Sequence, residues 1–480
     1  MSMANTPNIV FIHTDQQRGD CLSCEGHPVL ETPTMDNIAC NGVRLSRFYA
    51  GCPICVAARR SILIGQSPQK HGIISNANRE IPDSVATLPG TLRQHGYQTY
   101  HVGRDFHQHP RRKLYGFDDN ELVTGPQQAH FSEYQEWFAR NCPPGSENQG
   151  HWQAGIMHND WTARPWHLDE HLHPTNWTVD RAMRFLKRRD PTRSFFLSVG
   201  FVAPHPPLQP PQFYFDRYLR TGVPDPAVGD WATADWGHQR DHVAPDKVVL
   251  NAEQALTVRA AYYAAINHVD TVLRRLVMGI GGRNLSDTMF VFVSDHGEML
   301  GDHYCWRKSR PFEGAARVPF LIAAPAHFGL ERGLEVEAPA SHHDIMPTLL
   351  DMLDIPIPET VDGRSLYPLL RGERAPWRDA VHIENGGYQH ALTDGRQKFI
   401  WDPVTGEELV FDLVNDPQEL HNLSQNADRK DLVEAWRKRL IDALRERPEG
   451  FVKAGRLQTV PKYAGVIPWP TNRETEPARG

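Results

Sequence analysis

The chain has 480 residues, 40% hydrophobic and 23% charged, which is ordinary for a globular protein and enough for one large α/β unit plus a smaller one. A net charge of −7 carries no nucleic-acid footprint, and no apolar run approaches the roughly 20 residues that span a bilayer. Seven cysteines without a secretory leader fit a reducing compartment rather than a disulfide framework, so a cytoplasmic location is expected.

Residues 8–14 are mostly apolar, the pattern of a strand covered on both faces. Asp15 and Gln16 fall at its C-terminal end, where open α/β sheets place their chemistry. A helix is predicted from Thr32 or Thr34. Cys55 stands ahead of a short helical segment that stops at Gly65. It lies at the positive end of that helix beside Arg59, which makes an anion site with a reactive sulfur in it. Cys21-x-x-Cys24 and Cys52-x-x-Cys55 also have zinc-ribbon spacing. In this rival reading all four thiols hold zinc and the protein is a non-catalytic binding module.

A helix over 89–95 and a strand over 98–102 lead to Gly103-Arg104-Asp105-Phe106-His107. Residues 110–173 read as long loops that wall a pocket. A helix over 177–186 precedes a buried strand over 195–201, and prolines on both sides of His205 aim it from that strand's end. Tyr262, Ile266, Val269, Leu273 and Leu276 form the core stripe of a helix over 256–277. The strand over 287–294 ends in Asp295-His296-Gly297-Glu298, where a carboxylate and an imidazole in succession are good metal ligands and poor core material. A strand over 320–323 follows. From about residue 375 come short strands near 381–383, 391–393, 397–401 and 409–413, then a helix over 432–444. The expected organisation is a catalytic domain over 1–374, an α+β subdomain over 375–453 and an extended tail or oligomer arm over 454–480.

Cys55-Val56-Ala57-Ala58-Arg59, with Pro53, Gly65, Pro68, His71 and Gly72 around it, resembles the sulfatase signature Cys-x-Pro-x-Arg, with Ala57 in the proline's place. Thr14 to Asp20 looks like the start of sulfatases, and Pro204-His205-Pro206-Pro207 like their Pro-His-x-Pro segment. The run Asp295-His296-Gly297, Gly301-Asp302-His303, Trp306, Lys308 and 313–319 resembles the second sulfatase signature. Gln16 and His296 are similar to the choline-sulfatase and phosphonate-monoester-hydrolase branches. In this family a lysine and a histidine often follow the Gly103 position; here Arg104 stands for the lysine, Phe106 takes the histidine's place and His107 lies one residue later.

The resemblance implies an α/β fold with a large mixed, mostly parallel sheet flanked by helices, of the alkaline-phosphatase type, and a small C-terminal antiparallel sheet plus helix. It implies that a formylglycine-generating enzyme converts Cys55 to formylglycine, whose hydrate attacks sulfur. Asp15, Gln16, Asp295, His296 and residue 55 would hold one divalent cation, calcium ahead of magnesium or manganese. Arg59, Arg104 and Lys308 would carry the anionic ester oxygens, and His205 with His107 would protonate the leaving alcohol. The implied substrate is a small-molecule or sugar sulfate ester, with a phosphonate monoester or phosphodiester as the alternative; neither nucleic acid nor membrane is an expected partner, and a homo-oligomer is.

Overall fold

A computed structural model describes residues 6–156, 161–233, 248–281, 286–385, 389–461 and 465–467, without the side chains of 127–129. Its strands in chain order are β1 (Asn8–Asp15), β2 (Val43–Leu45), β3 (Phe48–Tyr49), β4 (Gln98–Arg104), β5 (Asp119–Val123), β6 (Phe195–Pro204), β7 (Thr288–Ser294), β8 (Phe320–Ala323), β9 (Leu334–Val336) and β10 (Ala340–Ser341). They are followed by β11 (Val381–Asn385), β12 (Gln389–Thr393), β13 (Gln397–Trp401), β14 (Glu408–Asp412), β15 (Val452–Lys453) and β16 (Arg456–Leu457).

Eight of them form one sheet in the order β5-β4-β6-β1-β7-β8-β2-β9. Only β8 runs against its neighbours, so the sheet is mixed and mostly parallel, as expected. The central strands β1, β6 and β7 are buried throughout, because helices cover both faces. Alternate side chains divide between two cores. Ile9, Phe11, Met289, Val291 and Val293 pack into one, while Val10, Ile12, Phe290 and Phe292 pack into the other. The longest helix, Ala252–Ile280, starts in a capping box between Asn251 and Gln254 and buries the predicted apolar stripe. No helix of the described residues is long and apolar enough to cross a membrane.

Residues 110–173 are more ordered than predicted. They contribute β5 at the sheet edge and a helix, Glu133–Asn141, capped by Ser132. The helix buries only Tyr134 and Phe138, one turn apart, and β5 buries only its last two residues. Such narrow apolar faces leave little periodicity to read.

The strands β11 to β14 form a separate antiparallel sheet in sequence order. Leu392, Phe399, Trp401 and Val410 face the helix Lys430–Leu444, whereas Ile383, Ala391, Ile400, Leu409 and Phe411 pack on Tyr49, Met299 and Phe312 of the larger unit. This sheet also reaches the other unit's loops: the Glu384 backbone N donates to Gly51 O at 2.9 Å, and the Asn385 side-chain Nδ2 donates to Ser309 O.

The expected tail over 454–480 lies partly outside the described residues, at 462–464 and 468–480. Its described pieces are 454–461, where Arg456–Leu457 pairs antiparallel with Val452–Lys453, and 465–467, which is not a free arm. Ile74 N donates to Gly465 O at 3.0 Å and Ile467 N to Gly72 O at 2.8 Å. The Ile467 side chain is fully buried against Cys52, Ile54, Ala57 and Ile74, where apolar contact outweighs the entropy of leaving the segment loose. Truncating it as Ile467→Ala is expected to cost about 2–4 kcal/mol in chemical denaturation. An unchanged midpoint would mean that this segment does not dock in solution.

Candidate active site

Four strand ends and one helix start meet at a single point above the sheet. Asp15 ends β1, Arg104 ends β4, His205 follows β6, and Asp295 and His296 follow β7. Cys55 is the first residue of the helix Cys55–Ile64, all of which is buried and which stops at Gly65 in the left-handed region, φ 63°. Gly103, at φ 95°, lets β4 approach β6 before Arg104: a Cβ there would lie 2.0 Å from the Gly200 carbonyl oxygen.

Asp15, Cys55, Asp295 and His296 each place a ligand-type atom within 4.8 Å of the others. Among the described residues this is the one such group of His, Cys, Asp and Glu, and Cys21, Cys24 and Cys52 are not in it. Cys21 Sγ instead lies against Asp20, Cys24 N is bonded to Asp36, and Cys52 is in an apolar cluster. The zinc-ribbon reading is thereby overturned, since its four thiols do not converge.

Each carboxylate has one oxygen tied down and one turned inward. Asp295 Oδ1 accepts from the backbone N–H groups of Gln16 at 3.0 Å and His296 at 2.8 Å. Asp15 Oδ2 accepts from Arg104 Nε at 2.8 Å and faces Arg59 Nη2 at 2.6 Å. The inward oxygens, Asp15 Oδ1 and Asp295 Oδ2, are buried and accept no hydrogen bond, although Asp295 Oδ2 also lies 2.8 Å from Arg59 Nη2. His296 Nδ1 donates to Gly297 O at 3.0 Å, which turns the lone pair of Nε2 toward Cys55 Sγ at 3.2 Å, Asp295 Oδ2 at 3.6 Å and Asp15 Oδ1 at 3.7 Å. Two buried inward carboxylate oxygens, one of them unpartnered, beside an imidazole nitrogen fit a divalent cation.

Arg59 lies against the two carboxylates. Its guanidinium is fully buried beneath the carboxylates, 2.6 Å from Asp15 and 2.8 Å from Asp295, and Nη1 donates to Asp105 O at 2.7 Å. Its Nη2 faces both carboxylates and so links them. Burial raises the Asp15 carboxyl, but Arg59, His205, Arg104 and Lys308 hold it well below the usual carboxylate range. Asp295, buried beside the Asp15 charge, is shifted upward.

On the solvent side of this group, Lys308 Nζ donates to Gln16 Oε1 and to His205 Nε2, both at 2.9 Å. His205 Nδ1 is committed to Pro206 O at 2.5 Å, so Nε2 is the nitrogen presented to the site. Burial and the adjacent Lys308 ammonium keep the His205 imidazole well below its ordinary pKa, hence neutral. The proton between these two side chains is therefore on Lys308 Nζ and is shared with His205 Nε2. Burial raises the Cys55 thiol, but Lys308, His296 and a hydrogen bond with His107 outweigh it and bring it well below the ordinary thiol value.

His107 reaches the site because its backbone is left-handed, φ 57°, which turns its ring onto Asp105 at 2.9 Å while Phe106 packs against His13 and His101. Sequence reasoning assigned no role to Asp105, which gathers His107, Arg104 and Arg111, nor to Glu298, which accepts from Gln16. An acid placed between Arg104 and His107 was the available signal for the first; the second is a contact across 282 residues with no local trace.

Comparison with known proteins agrees with this geometry. A family model described as Sulfatase matches residues 7–355, and one for the C-terminal part of N-sulphoglucosamine sulphohydrolase matches residues 301–446. An arylsulfatase of Clostridium perfringens is 37% identical over 94% of this chain and 97% of its own length. A choline-sulfatase of Rhizobium meliloti is 30% identical over 88% of this chain and 83% of its own. The crystal structure of a phosphonate monoester hydrolase of Agrobacterium radiobacter superimposes with a TM-score of 0.79 at 26% identity, covering 91% of this chain and 95% of that one. With buried ligands from separate strand ends gathered at residue 55 and a family match along most of its length, the chain belongs to the sulfatase family.

Proposed function

We propose that this enzyme hydrolyses sulfate monoesters with residue 55 oxidised to formylglycine and one divalent cation, calcium by preference, held by Asp15, Asp295, His296 and the Gln16 amide oxygen. The observation that carries the reading is the convergence on residue 55 of two buried carboxylates, one imidazole and the Lys308–His205 proton pair. When bound, the cation supplies positive charge against the sulfuryl oxygens, and the oxidised residue 55 supplies the nucleophilic oxygen.

The remaining work falls to side chains already in position. Arg59 and Arg104 keep Asp15 ionised and fixed, so the ligand set needs no rearrangement when charge develops. Lys308 stands where an ester oxygen would approach residue 55 and offers its charge to that oxygen. As the S–O bond breaks, the leaving alkoxide takes the proton shared between Lys308 Nζ and His205 Nε2. Cys55 is only 4% exposed, which argues that its oxidation precedes closure of the fold around it. A formylglycine-generating enzyme would have to accept Ala57 in the usual proline position.

A phosphonate monoester is the second reading, favoured by Gln16 and His296 and by the structural likeness to a phosphonate monoester hydrolase. Turnover of an aryl sulfate against an aryl phosphonate monoester separates the two, and the sulfate is expected to lead in kcat/KM. A reversed order would transfer the assignment.

His205→Ala is expected to lower kcat by about 10²–10⁴, least for leaving groups that need no proton, as a series of substituted aryl sulfates would reveal. Cys55→Ala should abolish turnover, and Cys55→Ser should retain sulfate on the serine as a mass increase after exposure to substrate. Normal turnover in either Cys55 variant rules the mechanism out. Chelation should silence the enzyme and calcium or manganese restore it; full activity in protein stripped of metal would remove the cation from the account.

A further inference from the structure

The Gln16 side chain is held in one orientation by groups that allow no other. Its Nε2 donates to Glu298 Oε2, and its Oε1 accepts from Lys308 Nζ at 2.9 Å. A carboxylate only accepts and an ammonium only donates, so this pairing fixes which end of the amide faces the active site. The Gln16 backbone is equally constrained: it is left-handed at φ 75°, its N–H donates to Asp295 Oδ1 at 3.0 Å, and its carbonyl accepts from Tyr262 Oη at 2.6 Å. Glu298 is 4% exposed, and its other oxygen, Oε1, accepts from the backbone N–H groups of Leu300, at 3.1 Å, and Arg307. The loop after β7 therefore holds that carboxylate still, and the carboxylate holds the amide.

We propose that Glu298 is a positioning residue, which acts through the Gln16 amide to keep an oxygen, and not an NH₂ group, turned toward Lys308 and the cation ligands. The proposal rests on the cation of the sulfatase reading but not on which ester is cleaved. It also accounts for the neutral side chain at position 16. A carboxylate there would face Glu298 at hydrogen-bonding distance inside the protein, two like charges without a proton between them.

The consequence is sharp for an isosteric change. In Glu298→Gln the Leu300 and Arg307 N–H groups retain the new amide's oxygen, so its NH₂ is directed at the NH₂ of Gln16. Gln16 then relieves the clash by turning over, which presents its NH₂ to the Lys308 ammonium and to the cation. The double variant Gln16→Glu/Glu298→Gln restores complementarity with the polarity exchanged. The carboxylate introduced at position 16 accepts from the amide introduced at position 298 on one oxygen and from Lys308 on the other.

Calorimetric titration of calcium, and separately manganese, into metal-stripped full-length protein reads this without any substrate. Glu298→Gln is expected to weaken cation binding about 10–100-fold with its melting temperature little changed, and to lower kcat more than it alters KM. The double variant is expected to recover wild-type affinity or exceed it, also where the single variant folds poorly. Wild-type affinity in Glu298→Gln overturns the proposal, as does a double variant no better than the single in affinity or folding. Should wild-type protein bind the cation yet cleave no sulfate ester, the sulfatase reading fails while the role of Glu298 is still decided by the titration.

Discussion

Two carboxylates from separate strands, Asp15 and Asp295, are held side by side where water does not reach, and everything else in the site follows from what makes that tolerable. Like charges so placed would drive one carboxyl to take up a proton or push the strands apart. Arg59 prevents this by lying against both at 2.6 and 2.8 Å. Arg104 adds a second guanidinium to Asp15, and backbone N–H groups satisfy the tied oxygen of Asp295. One inward oxygen of each carboxylate, an imidazole nitrogen and residue 55 are thereby gathered at one point, a group that could hold a metal ion.

The smaller unit contributes to this arrangement without supplying a chemical group. Its first strand, β11, bonds to Gly51, ahead of Cys55, and to Ser309, next to Lys308, so it ties the loop before Cys55 and the loop that carries Lys308 to one sheet edge. The segment 465–467 packs on the same loop through Ile467, which clusters with Cys52, Ile54 and Ala57. The loop before residue 55 is thus held by two parts of the chain far from it in sequence. That explains why the catalytic geometry can be rigid although it is assembled from loops.

Much of this was legible beforehand because the chemistry sits where strand patterns end. Buried apolar runs terminate at Asp15, His205 and Asp295, and polar residues following such runs point to the C-terminal edge of a parallel sheet. The helix start at Cys55 and its stop at Gly65 were readable for the same reason. Phe106 and His107 show where pattern alone stops short, since only a left-handed residue at 107 decides which ring enters the core and which enters the site. The pairing of Gln16 with Glu298, the placement of Arg59 against both carboxylates and the docking of Ile467 depend on long-range packing, and a linear pattern encodes none of them. The CxxC spacings misled for the converse reason: local spacing says nothing about whether two distant pairs meet.

The account stands or falls on the chemical state of residue 55. Mass analysis of the peptide that carries it, taken from purified protein active on sulfate esters, tests this directly. An aldehyde, lighter than the encoded cysteine because the thiol has been replaced by a carbonyl oxygen, is the predicted result; an intact thiol in protein that turns over at its full rate would contradict it.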